Sequence, residues 1–207
     1  MSEGNEEKKI IFVINTLSGG GAERVLAVLC GEIVSRGISV RLCFTGKSPK
    51  YLPYQIDPRV KVKDSYGRFL PKGYDGWFGC RINLKRQIKK FKPDIVVAFK
   101  PGSILTTLQV CKKIKVPVVM AMRGLAENVD EKSLKELPKF LPGLSGAVYM
   151  SQEQQAGYRD LFDFPIDIKE IPDLVGIEFS NIKGIGWTRQ ADGQLLNISI
   201  DFIPFKY

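Results

Sequence analysis

The chain has 207 residues, of which 44% are hydrophobic and 26% charged, enough for one domain with a full core and ordinary for a folded globular protein. It contains no histidine, which removes Ser-His and Cys-His nucleophile pairs and the commonest metal ligand, so acid–base work falls to carboxylates, Lys, Tyr or the substrate. The net charge of +9 is concentrated: Lys47 to Lys92 carries thirteen Lys or Arg against three Asp, and the remainder is nearly balanced.

The N-terminus, "MSEGNEEKK", is acidic and polar where a secretory signal is basic and then apolar. No apolar run reaches the roughly 18 to 20 residues of a membrane span. Residues 1–8 are expected to be disordered and the protein cytoplasmic. Cys30, Cys43, Cys80 and Cys111 stand singly, mostly in apolar segments, which suits reduced structural thiols rather than a metal site.

In chain order, strands are expected at Ile10–Asn15, Ser39–Phe44, Asp94–Phe99, Pro117–Met122, Gly146–Met150 and Ile168–Ile171. Most are short Ile/Val-rich runs bounded by Gly, Pro or charge, as in a parallel sheet covered on both faces. Helices are expected at Ala22–Ser35, Cys80–Phe91, Ser103–Lys113, Glu131–Phe140 and Ser151–Asp160. In the first, Val25, Leu26, Leu29, Ile33 and Val34 form one apolar stripe, and Arg36–Gly37 is a good stop. Alternating strand and helix implies an α/β, doubly wound, Rossmann-like parallel sheet with right-handed crossovers and ligands at the strands' carboxyl ends. Four loops fall there: Thr16–Glu23 ("TLSGGGAE"), Lys100–Ser103 ("KPGS"), Arg123–Asn128 ("RGLAEN") and Ser151–Gln154 ("SQEQ").

Two stretches break the alternation. Gly46 to Gly79 mixes Pro, Gly, Tyr and Lys and reads as a long, partly irregular excursion with a short alternating piece at Val60–Lys63. After Pro172 the chain offers Gly-rich turns and one alternating segment, Leu196–Phe202, and residues 180–207 read as a short irregular tail.

Gly19, Gly20 and Gly21 open the first helix. A dinucleotide fingerprint fails at its third glycine, where Arg24 stands, and a Walker loop fails for want of Gly-Lys-Ser/Thr. A cradle holding a sugar or diphosphate against backbone N–H groups at a helix N-terminus remains, beside a tight turn with no ligand.

The ordered set of motifs resembles the opening half of family 4 glycosyltransferases of the GT-B architecture. It comprises "INTLSGGGAERVLAVLCGEIVSRGISVRLCF", "IKKFKPDIVVAFKPGS", "VPVVMAMRG", "LSGAVYMSQEQQAGY" and "DIKEIPDLVGIEF", spanning Lys9 to Phe179. The resemblance implies that residues 9–179 are the N-terminal, acceptor-side Rossmann-like domain. In that family a retaining transfer passes a hexose from a nucleotide sugar to a lipid-linked or saccharide acceptor, in polysaccharide or glycoconjugate biosynthesis. It implies no cofactor and no metal, the nucleotide sugar being a substrate, and it names no catalytic residue on this half. Carried over by position, the donor-facing residues are Gly19, Gly20, Gly21, Glu23, Arg24, Lys100, Arg123, Ser151 and Glu153. Glu23 also suits the helix dipole, Arg123 an ordinary surface salt bridge, and Ser151 an N-cap. The family's donor domain has no counterpart in residues 180–207, so the expectation is a chain incomplete by itself, served by a separate donor-domain subunit. The alternative is a non-catalytic acceptor-binding subunit or a truncated remnant.

The basic excess is not accompanied by a nucleic-acid motif, so no nucleic-acid partner is expected. "INLKRQIKKFKPD" interleaves Leu84, Ile88 and Phe91 with Lys85, Arg86, Lys89 and Lys90, an amphipathic basic helix suited to anionic lipid. The expectation is peripheral attachment at the inner face of the cell membrane, against a solvated basic face as the plainer reading.

Overall fold

The computed structural model describes residues 7–47, 54–66, 76–122, 126–148 and 152–162, together with three short strands further on. Six parallel strands form the sheet: β1 Lys9–Ile14, β2 Ser39–Phe44, β3 Lys61–Asp64, β4 Ile95–Phe99, β5 Val118–Ala121 and β6 Gly146–Val148. The helices are α1 Gly21–Ser35, α2 Gly76–Phe91, α3 Pro101–Cys111, α4 Glu131–Glu136 and α5 Gln152–Phe162. Strand order is β3-β2-β1-β4-β5-β6. The chain thus winds outward from β1 in one direction and then, from β4, in the other.

The core follows from β1 itself. Ile10, Phe12 and Ile14 enter one apolar cluster with Leu26, Leu29 and Ile33 of α1. Ile11 and Val13 enter the opposite cluster with Leu84 and Ile88 of α2 and Leu105 and Leu108 of α3. Successive strand residues point to opposite faces, so a strand clothed by helices on both sides must be apolar at every position.

Local chemistry sets the ends of the elements. Helix α1 ends in a Schellman arrangement: the Gly37 amide donates to Val34 O at 3.0 Å and the Ile38 amide to Ile33 O at 3.4 Å, with Gly37 at φ 80°. The helix expected over Glu131–Phe140 is α-helical only to Glu136 and continues as a 3-10 turn, Leu137–Lys139, because Pro138 has no N–H for the ladder. Asp130 caps α4, its carboxylate accepting from the Ser133 amide at 2.9 Å and hydroxyl at 2.7 Å.

The alternating piece expected near Val60–Lys63 forms β3, which pairs parallel with β2 at the sheet's edge, Arg41 opposite Lys61. One expectation changes: the tail is not wholly irregular. Its strands are β7 Thr188–Arg189, paired with β8 Leu195–Leu196, and β9 Phe202–Pro204, which joins β6 antiparallel. The strand expected at Ile168–Ile171 lies outside the described residues.

Candidate functional site at the β1–β4 switch point

Strands β1 and β4 are neighbours, Val13 opposite Ala98, and their following helices pack on opposite faces of the sheet. The backbone parts at their carboxyl ends, where open α/β sheets take ligands. Residues Gly19–Gly21 leave β1 there, and Lys100 leaves β4.

The glycines have separate physical reasons. Gly19 has φ 114°, a left-handed conformation that a side chain disfavours. Gly20 is extended, with φ −102°, and is glycine because of crowding: a Cβ there would overlap Glu23 Oε2 and lie 3.2 Å from Cδ. At Gly21 a Cβ would meet nothing within 4 Å. What approaches the backbone at Gly20 is therefore the protein's own carboxylate.

Glu23 is the third residue of α1 and only 1% exposed. Its Oε1 receives the Lys100 ammonium at 2.5 Å, with the side chains 2% and 40% exposed respectively. Oε2 is buried and, among the described residues, has no hydrogen-bond partner. Lys100 is the N-cap of α3, at φ 67° and ψ 143°, a conformation left almost entirely to glycine. Pro101 then starts the helix at a position where its missing N–H is harmless. The Ser103 and Ile104 amides bond to Lys100 O at 3.1 and 3.0 Å. Two helix N-termini, those of α1 and α3, thus lie on either side of one ion pair whose cation is the exposed member. Both dipoles favour a negative charge in front of them.

Contacts from distant segments hold these loops. The Tyr54 hydroxyl donates to Gly20 O at 3.1 Å. Thr45 Oγ1 and Ser103 Oγ are 2.8 Å apart, joining the loop after β2 to the start of α3. Gly46 closes on Asn15, its amide donating to Asn15 O at 2.7 Å. Sequence reasoning missed Tyr54, Thr45 and Asn15. The only signal was the long excursion itself, whose functional character rested on length.

Of the remaining expected residues, Arg24 is exposed in the first turn of α1, and Glu153 lies in the first turn of α5. Arg123 and Ser151 lie outside the described residues. Lys85, Arg86, Lys89 and Lys90 are all exposed on α2. The apolar stripe expected beside them is corrected. Leu84 and Ile88 are 0% and 1% exposed, inside the core, and Phe91 lies under the Arg41 guanidinium at 4.2 Å. Leu84 and Ile88 hold α2 to the sheet and have nothing left for lipid, and the partly buried Phe91 packs against the same core. Among the described residues, the large apolar side chains that α2 exposes are Phe78 and Ile82, 45% and 39% exposed. Their spacing of four aligns them with Lys85, Arg86 and Lys89 on one stripe.

Among the described residues no helix is long and apolar enough to cross a membrane, and no three metal-ligating side chains converge. One cavity of about 550 Å³ lies far from the glycine loop, where Lys115, Val116 and Pro117 lead into β5, with Phe140 and Leu108 in its wall. It is thus at the sheet's amino end, the wrong end for the chemistry expected of a doubly wound fold.

Comparison with known proteins bears on the family and the fold. The Glycosyltransferase Family 4 profile matches residues 19–174. Among solved structures, sucrose-phosphate synthase from Thermosynechococcus elongatus superposes with a TM-score of 0.60 at 12% identity, over 74% of this chain and 45% of that one. Anabaena HepE in complex with UDP and glucose gives 0.56 at 15% identity, over 75% and 41%. The lipopolysaccharide outer core galactosyltransferase WaaB gives 0.55 at 18%, over 74% and 42%. At these identities the likeness establishes the fold, and the chain spans less than half the length of each. No curated protein sequence matches.

Proposed function

Because the chain belongs to glycosyltransferase family 4, its sheet being the N-terminal half of a GT-B fold, we propose that it is the acceptor-side wall of a hexosyltransferase site. The donor is a nucleotide sugar and the acceptor a lipid-linked or saccharide hydroxyl, in polysaccharide or glycoconjugate synthesis. The observation that carries this is that the glycine loop and the partly exposed Lys100 side chain lie together at the switch point. HepE has also been solved with UDP-glucose, which supports a nucleotide-sugar donor for a chain of this fold.

In the reaction the bond between the sugar's anomeric carbon and the diphosphate oxygen breaks, and the nucleoside diphosphate leaves with the electron pair. The acceptor oxygen bonds the anomeric carbon on the same face, and its proton passes to the departing phosphate oxygen, so configuration is retained. This half then needs no base of its own, consistent with a chain that lacks histidine. Its work is electrostatic: backbone amides at Gly20 and Gly21, with Lys100, meet charge that grows on the leaving group. Arg24, Arg123, Ser151 and Glu153 are assigned to donor binding by their places in the family pattern. The donor half of the crevice comes from a second domain or a separate subunit. The exposed stripe of α2, Phe78 and Ile82 with Lys85, Arg86 and Lys89, rests on the anionic inner face of the cell membrane, next to a lipid-linked acceptor.

The test is transfer of labelled hexose from a panel of nucleotide sugars to a membrane-lipid extract, using the chain alone and with a family 4 donor half supplied in trans. Label reaching the extract only with both halves supports the proposal. Capture of the lipid acceptor without transfer in any combination replaces it with a non-catalytic binding subunit. Absence of both capture and transfer overturns it.

A further inference from the structure

The ion pair at the switch point raises its own question: why a lysine occupies position 100 at all. Its backbone, at φ 67° and ψ 143°, is one that glycine adopts freely and other residues adopt at a cost. The chain uses glycine at Gly19 and Gly37, where φ is 114° and 80°, and also carries two other lysines at positive φ, Lys92 at 51° and Lys115 at 57°; Lys100 is the one of the three that is paired with a buried carboxylate among the described residues. A strained side chain that persists must be held by its surroundings, and here the holder is Glu23. Oε1 takes the ammonium at 2.5 Å, and Oε2 has no other donor among the described residues. The buried carboxylate thus depends on this one cation.

The asymmetry of the pair gives it a direction. The carboxylate is 2% exposed and the ammonium's side chain 40% exposed. Anything arriving from solvent meets the positive end, with up to two N–H donors of Lys100 unspent on Glu23. The N-termini of α1 and α3 add potential of the same sign. The pair therefore acts as an oriented dipole, positive end outward, although its net charge is zero.

We propose that Lys100 contacts a phosphate oxygen of the ligand and that Glu23 is a positioning residue, buried to aim the Lys100 ammonium rather than to touch substrate. This rests on the switch-point reading above and adds a division of labour to it. The strain at Lys100 is then the stability given up for a fixed cation at the mouth of the crevice.

The experiment uses amide NMR of the full chain with inorganic pyrophosphate as the probe, and thermal unfolding of the same samples. In the wild type, pyrophosphate should shift the amides of Gly20, Gly21 and Gly102, less so as salt rises. Glu23→Gln keeps the side chain's shape and one acceptor but loosens the ammonium, and although it leaves one more net positive charge for an anion to meet, loss of aim should weaken the probe about tenfold, 1.4 kcal/mol, with little change in fold. The double variant Glu23→Gln, Lys100→Gly removes both the lone buried charge and the strained residue. It should unfold at or above the wild-type temperature and no longer respond to pyrophosphate. A merely structural pair predicts the reverse: the double variant melts well below wild type, and Glu23→Gln alone leaves the probe response unchanged or, with one negative charge gone, stronger. Either of those results, or a wild type whose switch-point amides ignore pyrophosphate, overturns the assignment. The probe involves no sugar transfer. Failure of the transfer assay with these results intact would therefore discard the enzyme reading alone, and transfer without them would discard only the roles of Glu23 and Lys100.

Discussion

Replacing Gly20 by alanine isolates the contact at the centre of the site. The backbone there is extended, at φ −102°, so alanine incurs no conformational penalty and the effect is one of space. The new Cβ would overlap Glu23 Oε2 and lie 3.2 Å from Cδ and 3.4 Å from Oε1. A glutamate on an open surface would swing aside cheaply. This one is 2% exposed and tied to Lys100, so it must compress its neighbours or leave its cation. Overpacking typically costs about 1–3 kcal/mol, and stranding a buried carboxylate about 3–5 kcal/mol, so a loss of about 2 kcal/mol, with the pair strained but unbroken, is expected. Gly21→Ala is the control. Its Cβ meets nothing within 4 Å, and alanine should stabilise by about 0.4–1 kcal/mol by restricting the unfolded chain. Urea unfolding monitored by circular dichroism measures both, and the midpoint should fall for Gly20→Ala and rise for Gly21→Ala with the slope unchanged. In a Glu23→Ala background the Gly20 penalty should largely vanish, which makes a double-mutant cycle decisive. Equal stability for the two glycine variants, or a Gly20 penalty that survives removal of Glu23, would refute the crowding account.

Three further outcomes are expected. Co-flotation with anionic vesicles should weaken on changing Phe78 and Ile82 to Ser, and each charge removed from Lys85, Arg86 or Lys89 should cost about 1 kcal/mol; equal flotation with neutral vesicles would remove the lipid face. Burial pushes the thiols of Cys43, Cys80 and Cys111 up to about 12, and that of Cys30 up as well. A disulfide reagent at pH 8 should therefore find them unreactive until denaturant is added, and a thiol titrating within minutes in buffer would contradict the buried placement. At Asp130, desolvation pushes the carboxyl up, but the Ser133 hydroxyl and amide, with Lys132 nearby, hold it below its ordinary 3.8. A group lowered by folding contributes stability above its unfolded value and loses it as pH falls through the folded one. Asp130→Ala should therefore cost about 1 kcal/mol near neutrality, and unfolding curves of variant and wild type should converge below about pH 4; a gap that widened in acid would reverse the assigned sign.

The amino-acid sequence alone determined the winding of the fold, because the information is local. A strand covered on both faces must be apolar throughout, as Ile10–Ile14 is, and a helix on its face must repeat near every 3.6 residues, as Leu26, Leu29 and Ile33 do. Glycine, proline and charge mark where each element stops, so Ser39–Phe44 was placed to the residue. The family came from the resemblance of five ordered motifs to those of known members, not from periodicity. Tertiary structure decided which apolar faces were already taken. An amphipathic pattern says that Leu84 and Ile88 face something apolar, and only the fold shows that the partner is the core rather than lipid. It also decided what the glycines are for. Glu23 and Lys100 are 77 residues apart, and Tyr54 reaches Gly20 across 34. No periodicity carries a pairing over such distances, because it exists only once β1 and β4 lie side by side and bring their loops together.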